Sequence, residues 1–207
     1  MNKKIIIEVG SYDGRDSLIF YNKGYKVYTF EPHIEFFKKL NEKTLNMKDY
    51  TVINKAVSLV DGIVPFNICV SGGASSLLPF KKNDELLKHW GTNRTDVHYS
   101  GLSYNVESTR LDTFIEENHL GNNIIDYLHI DAQGVDLDVL KSLGKYIKNV
   151  KEGVIETASS IEKSIYIGQN NIINEAKTWL ENNGFVITNI QHNDPTDCEY
   201  NIFFTKK

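Results

Sequence analysis

The sequence predicts an α/β fold: a mostly parallel sheet with helices on both faces and one reversed strand near its end. Three observations carry that prediction. Short β-branched runs alternate with stretches of helical period as far as Asn54, and again from Ile124 onward; such alternation marks βαβ units. Gly10 turns the chain at the end of the first apolar run, and an acidic residue, Glu31, ends the second run 21 positions later. Open α/β sheets bind ligands at turns of this kind. The last two apolar runs are separated only by a polar turn at Asn193-Asp194-Pro195, which leaves no room for a crossover helix, so they pair antiparallel.

The elements follow in order. Lys4 to Val9 is the first strand. Leu18, Ile19 and Tyr21 then recur at helical spacing, so Asp13 to Asn22 is a helix, stopped by Gly24. Lys26 to Phe30 is the second strand, punctuated by Pro32. Ile34, Phe36, Phe37 and Leu40 form the apolar face of a second helix, and Thr51 to Asn54 is the third strand. Right-handed crossovers place these three strands side by side. In the less regular middle, Gly62 to Val70 is a hairpin strand or an extra edge, and Ser71 to Ser76 is a loop. Lys81 to Thr95 is polar and partly helical, and Tyr104 to Thr109 is extended. Order returns with a strand over Ile124 to Ile130, a helix from Val135 closed by Gly144, and a strand over Lys151 to Glu156. A helix bearing Ile172, Ile173, Ala176, Trp179 and Leu180 comes next, and the strands Phe185 to Ile190 and Tyr200 to Thr205 close the chain. No repeat or linker divides the 207 residues, so a single domain spanning 1–207 is expected.

Composition narrows the function. There are 27 acidic against 23 basic side chains, a formal charge of −4, and a pI near 5.9. Arginine occurs only at positions 15, 94 and 110, so few side chains can grip phosphate bidentately. Nucleic acid is therefore not an expected partner. Cys69 and Cys198 are far apart and not in zinc-site spacing; both read as small core residues. The apolar run near the start, Ile5 to Ile7, is too short for a signal peptide or a membrane span, and an intracellular, cytoplasmic protein is expected.

The chemistry begins at Glu8-Val9-Gly10-Ser11-Tyr12-Asp13-Gly14. The glycines permit a tight turn and close backbone approach to a ligand. Their spacing is Gly-x-x-x-Gly, so the pyrophosphate cradle of a dinucleotide site is incomplete. Glu31 stands where an acid accepts hydrogen bonds from both hydroxyls of a ribose; the plainer alternative is a capping carboxylate before Pro32. Together they point to a nucleoside-containing cofactor.

Five segments then occur in order: Ile7 to Gly14, Tyr28-Thr29-Phe30-Glu31-Pro32, Asn54-Lys55-Ala56-Val57-Ser58, Ser108-Thr109-Arg110-Leu111-Asp112, and His129-Ile130-Asp131-Ala132-Gln133-Gly134. Through them nearly the whole chain resembles the FkbM family of S-adenosylmethionine-dependent methyltransferases. The resemblance implies a class I methyltransferase fold, a Rossmann-like three-layer sandwich with a seven-stranded sheet and an antiparallel last strand. It implies that Glu8, Gly10, Ser11, Asp13 and Gly14 surround the methionine part of the cofactor and that Glu31 and Pro32 hold the ribose. Ala56 and Val57 would lie against the adenine, Ser75 and Ser76 would touch the cofactor or shape the pocket, and Asp131 would face the methyl-transfer centre. The implied activity is O-methylation of a hydroxyl on a sugar, a glycan or a small natural product.

Two positions depart from the family's usual Lys-Ile-Asp-Val-Glu-Gly: His129 replaces the Lys and Gln133 the Glu. Gln cannot act as a base, and Asp136 is the candidate substitute. Asp131 and Glu156 end strands expected to be neighbours, so their carboxylates are expected to converge. Either takes the acceptor's proton, or the two hold a divalent ion that acidifies the hydroxyl. His129 reads as a packed histidine rather than a base. Trp90, His98, Tyr99 and Tyr104 are set over the active-site end, as substrate-stacking or packing aromatics, and Lys81-Lys82 reads as a solvated face. Two rivals remain open: a nicotinamide-dependent oxidoreductase, and a cofactor-binding module of the same fold without turnover.

Overall fold

The computed structural model describes residues 3–91, 94–193 and 195–207, apart from the side chain of Leu87. Asp194 of the expected closing turn, Thr92 and Asn93 of the polar middle stretch, and Met1 and Asn2 lie outside the described residues.

The first five elements are β1 (Ile5–Val9), α1 (Arg15–Asn22), β2 (Lys26–Phe30), α2 (Ile34–Thr44) and β3 (Tyr50–Ile53). Every residue of β1 is buried, as a strand covered on both faces must be. Later come β7 (Tyr127–Ile130), α5 (Asp136–Ser142), β8 (Glu152–Ala158), α6 (Ile173–Asn182), β9 (Phe185–His192) and β10 (Glu199–Lys206). The central sheet has seven strands in the order β3-β2-β1-β7-β8-β10-β9. Pairings from β3 to β8 are parallel, and β10 runs antiparallel to both β8 and β9. The expected α/β architecture with a reversed last strand is the one observed.

Apolar side chains divide between the two faces of the sheet. Ile7, Val9, Leu128, Ile130 and Ile155 pack on one side with α4 (Leu111–Glu117), α5 and α6 residues. Ile6, Val27, Leu40 and Tyr50 pack on the other, under α1 and α2. Strand order reverses at β1, where the chain runs out to β3 and returns to β7; the crevice at such a switch point is where α/β sheets place ligands.

The middle of the chain differs from the expectation of a simple hairpin or edge. β5 (Gly62–Cys69) pairs antiparallel with β6 (Tyr99–Thr109), β6 pairs parallel with β4 (Ala56–Val57), and the three form a separate small sheet. Only Phe66, Ile68 and Cys69 of β5 are buried, so this strand has too little apolar surface for the doubly covered central sheet. Between β5 and β6 lies α3 (Asn83–Trp90). Lys81 is not a solvated cation, because its ammonium donates to the carbonyls of Ile161 at 2.5 Å and Glu162 at 3.1 Å. β8 also continues past Glu156, which its sequence placed at the strand end. Pairing with β7 stops at Ile155, while pairing with β10 carries on to Ala158. Glu156 thus sits inside a strand just where one neighbour has ended. Among the described residues no helix is long and apolar enough to cross a membrane.

Candidate active site

The glycine turn after β1 is held open by close backbone packing. Gly10 has φ of 83°, and a Cβ placed there would lie 1.8 Å from the carbonyl oxygen of Asp131. Only glycine lets β1 and β7 release their chains side by side. The next turn, after β2, presents Glu31. Its Oε2 accepts from the N–H of Tyr12 at 2.7 Å and its Oε1 from the N–H of His33 at 2.7 Å. Asn54 braces the turn from β3, its amide donating to the carbonyls of Glu31 and Pro32. Burial pushes the Glu31 carboxyl up to about 7, outweighing the two N–H donors that lower it, and the charges of Glu8 and Asp131 add to the rise.

Gly10, Glu31, Pro32, Ala56, Val57, Ser75 and Asp131 all line one cavity. Its apolar wall comes from Phe36, Phe66, Leu77 and Val135. The sequence reading missed Tyr12, Phe36 and the Gly72-Gly73 pair, which also line it. Adjacent glycines in a loop were the available signal; Phe36 looked like any apolar residue of an amphipathic helix. Ring edges of Tyr12 and Phe36 meet at 4.4 Å between centroids.

A loop after β7 carries the reactive candidates. Gln133 has φ of 52° and Gly134 of 95°, so two successive residues are left-handed and swing the chain back across the mouth of the sheet. The side-chain nitrogen of Gln133 donates to Asp131 Oδ1 at 2.5 Å and to Glu156 Oε2 at 2.9 Å. The other oxygen of Glu156 accepts from Asn193. Glu156 is only 4% exposed. Its carboxyl is pushed well above the usual range by burial, then by the charges of Asp131 and Glu199. Asp136 is 1% exposed and accepts from the N–H groups of Ala132 at 2.6 Å and Gly134 at 3.0 Å, and from the Asn171 amide at 2.9 Å. Burial and the Asp131 charge still raise it to about 7 against those donors. Its geometry is that of a brace for the loop, with its oxygens turned to backbone N–H groups.

A second cavity shares Gly73, Asp131 and Gln133 with the first. Arg94, Asp96, Glu156, Asn193 and Glu199 also line it. The guanidinium of Arg94 is held by Asp96 at 3.0 and 3.3 Å and lies over the Trp90 ring. Acid therefore dominates this wall.

Several expected site residues stand behind the cavity walls. Glu8 is buried and accepts from Ser17 N at 3.0 Å and Thr29 Oγ1 at 2.5 Å, tying α1 and β2 to β1. Asp13 is exposed and accepts from Arg15 N at 3.0 Å. Gly14 packs against Leu40, and Ser76 donates to the Gln133 carbonyl at 2.6 Å. The hydroxyl of Ser11 is buried without a hydrogen-bond partner among the described residues, which leaves a polar atom at the turn for a polar ligand. His129 packs beside Glu8 at 3.6 Å; burial lowers its pKa, but the hydrogen bond and charge of Glu8 turn the net shift upward. Trp90 is a packing residue, 2% exposed, donating to the Lys163 carbonyl. Cys69 and Cys198 are buried. Arg110 and Asp112 pair at 2.6 Å at the start of α4, away from both cavities.

The orphaned Ser11 hydroxyl, the Glu31 clamp and the Gly10 cradle fit a cofactor with a ribose. A divalent ion between Asp131 and Glu156 does not fit, because an amide nitrogen already directs its N–H groups at both carboxylates. Glu8, Asp16 and His129 bring ligand atoms within 4.8 Å of one another, but both oxygens of Glu8 are already engaged.

Solved structures of similar shape are methyltransferases. An rRNA methylase from Streptococcus thermophilus is 13% identical with a TM-score of 0.50, covering 99% of this chain and 87% of that one. A putative methyltransferase from Streptococcus mutans in complex with S-adenosylhomocysteine is 12% identical with a TM-score of 0.50, covering 100% and 90%. Fibrillarin from Aeropyrum pernix, with natively bound S-adenosyl-L-methionine, is 11% identical with a TM-score of 0.52, covering 98% and 66%. These likenesses establish the fold, that of class I methyltransferases. No curated protein matches the chain in sequence. The model of the methyltransferase FkbM domain matches residues 8–187, and with the glycine turn, the Glu31 clamp and the Asp131 loop in place, the chain belongs to the FkbM methyltransferase family.

Proposed function

We propose that this chain is an S-adenosylmethionine-dependent O-methyltransferase whose acceptor is a hydroxyl of a neutral sugar or glycan. The observation that carries the reading is the junction of two cavities at Asp131 and Gln133. The first has the glycine turn and the ribose-type acid; the second is polar and acid-lined. When bound, the cofactor supplies an electrophilic methyl group on a sulfonium. The glycine turn and Glu31 would hold the cofactor that supplies the methyl group, and Asp131, at the junction, would take the proton of an acceptor hydroxyl held in the second cavity. Catalysis of this kind needs alignment and a proton acceptor.

Acid on the second cavity's wall favours hydroxyl donors and repels phosphate and carboxylate. One structural neighbour is an rRNA methylase, but an acid-lined acceptor cavity disfavours RNA here. Family membership removes the support for a nicotinamide-dependent oxidoreductase. Calorimetry with S-adenosylhomocysteine and with NAD tests the cofactor; heat with the former alone is expected, and none with it sinks the reading. Labelled methyl is then offered to neutral sugars and glycans, uronic and phosphorylated sugars, and RNA. Transfer to the neutral set is expected. Binding without transfer to any acceptor would favour a module without turnover.

A further inference from the structure

The nitrogen of Gln133 is the point where the half-buried Asp131 and the buried Glu156 meet. Asp131 Oδ1 lies 2.5 Å from it and Glu156 Oε2 lies 2.9 Å from it. Two ionised carboxylates this close repel, and burial with the Asp131 charge drives Glu156 toward its neutral form unless something positive stands beside them. That place is commonly filled by a proton or by a hard cation with oxygen ligands. A primary amide fills it differently, offering two partially positive hydrogens that neither titrate nor exchange with solvent ions.

The rest of the residue is built to hold that orientation. Its side-chain oxygen faces the Tyr166 hydroxyl at 2.8 Å, and Tyr166 is itself fully buried, with the Ala74 carbonyl 2.7 Å from the same hydroxyl. The Gln133 carbonyl accepts from Ser76 at 2.6 Å. A Cβ on Gly134 would lie 2.7 Å from the Tyr166 ring, so the ring packs directly on the loop backbone. Tyr166 holds the far end of the amide, and the two acids, as acceptors, favour its N–H groups on their side.

We propose that Gln133 is a positioning residue that occupies a cation's place between Asp131 and Glu156, making the centre independent of metal and keeping the Asp131 carboxylate aimed at the acceptor. The proposal rests on the methyltransferase reading for its kinetic part only. Gln133→Glu would return a third carboxylate to the cluster and create a hard-oxygen cation site. Gln133→Ala would vacate the place without adding a ligand.

The test is a titration of the full chain with Mn²⁺, followed by electron paramagnetic resonance. The wild-type protein is expected to show no Mn²⁺ site that depends on Asp131. Gln133→Glu is expected to bind one Mn²⁺ at least about 10-fold tighter than wild type, a gain that disappears when Asp131→Asn is added. Gln133→Ala, the second variant should the first not fold, is expected to gain a weaker site lost in the same way. With an acceptor in hand, Gln133→Glu should lose at least 10-fold in kcat without Mn²⁺ and recover in part when Mn²⁺ is added. Wild-type Mn²⁺ binding abolished by Asp131→Asn overturns the proposal, as does a Gln133→Glu protein that binds no more Mn²⁺ than wild type. Failure to find any methyl acceptor would count against the functional reading and leave the Mn²⁺ comparison decisive for this one.

Discussion

Glu31 combines a buried carboxylate with two backbone N–H donors, and its remaining lone pairs are what a ribose would use. Charge-assisted hydrogen bonds contribute about 1.5–3 kcal/mol. Glu31→Gln should therefore weaken S-adenosylhomocysteine binding by about 10- to 100-fold in calorimetry. Hydroxyl donors bind the ionised carboxylate better, and this carboxyl titrates at about 7. Wild-type affinity should accordingly fall from pH 8 to pH 6, and the variant's should not; equal slopes would remove Glu31 from the site. Asp136 serves structure instead. Asp136→Ala strands the Ala132 and Gly134 N–H groups and the Asn171 amide, and should cost about 2–4 kcal/mol in urea unfolding. A loss below 1 kcal/mol would mean the loop is braced by something else.

At the scale of elements, the strands release their chains into the crevice only where backbones can approach. Gly10→Ala would drive a Cβ into the Asp131 carbonyl at a left-handed φ, and should cost more than about 4 kcal/mol or prevent folding. Gly24 is equally left-handed, at φ of 85°, but has nothing within 4 Å, so Gly24→Ala should cost only about 1–2 kcal/mol. Thermal unfolding of the two variants separates close approach from conformation alone; equal losses would refute the contact. Patterning revealed the central strands because each is buried and β-branched. It did not reveal the small β4-β6-β5 sheet, whose two long strands, β5 and β6, are largely exposed and pair across the α3 insertion. Nor did it show that β8 outruns Glu156, since that depends on β10 pairing on beyond the end of β7.

The whole molecule has an unusual balance of titrating groups. Glu31 and Asp136 are raised to about 7 from ordinary values of 4.5 and 3.8, and Glu156 and His129 are raised as well. Each binds its proton more tightly folded than unfolded, so each contributes stability present at low pH and lost as pH rises through its folded value. For the two acids near 7 that window runs from about 4 to 7. His33, lowered by burial, opposes them below its ordinary 6.5. The exposed Asp49, Asp61, Glu116 and Asp197, lowered mainly by hydrogen bonds, oppose them only in more acid solution. The ligand-free protein should thus melt at least about 3 °C higher near pH 6 than near pH 8. A Tm that is flat or rises toward pH 8 would contradict the burial of these acids. Saturating S-adenosylhomocysteine at about 100 times its Kd should add about 2.7 kcal/mol, a rise of about 5–10 °C for a chain of this size.

The sequence by itself determined the parallel α/β order, the reversed final strand, the glycine turn and the acid that follows it. Those features are local: apolar period, glycine placement and spacing are written in consecutive residues. It also named Gln133 as a departure, but read it as the loss of a carboxylate. Only the tertiary structure decided what that amide does. Its partners, Asp131, Glu156 and Tyr166, come from the β7 loop, an interior position of β8 and the segment before α6. Strand pairing brings them together, and no local pattern encodes it. The same holds for the second cavity, assembled from segments scattered between Ser71 and Glu199 and sharing Gly73, Asp131 and Gln133 with the first.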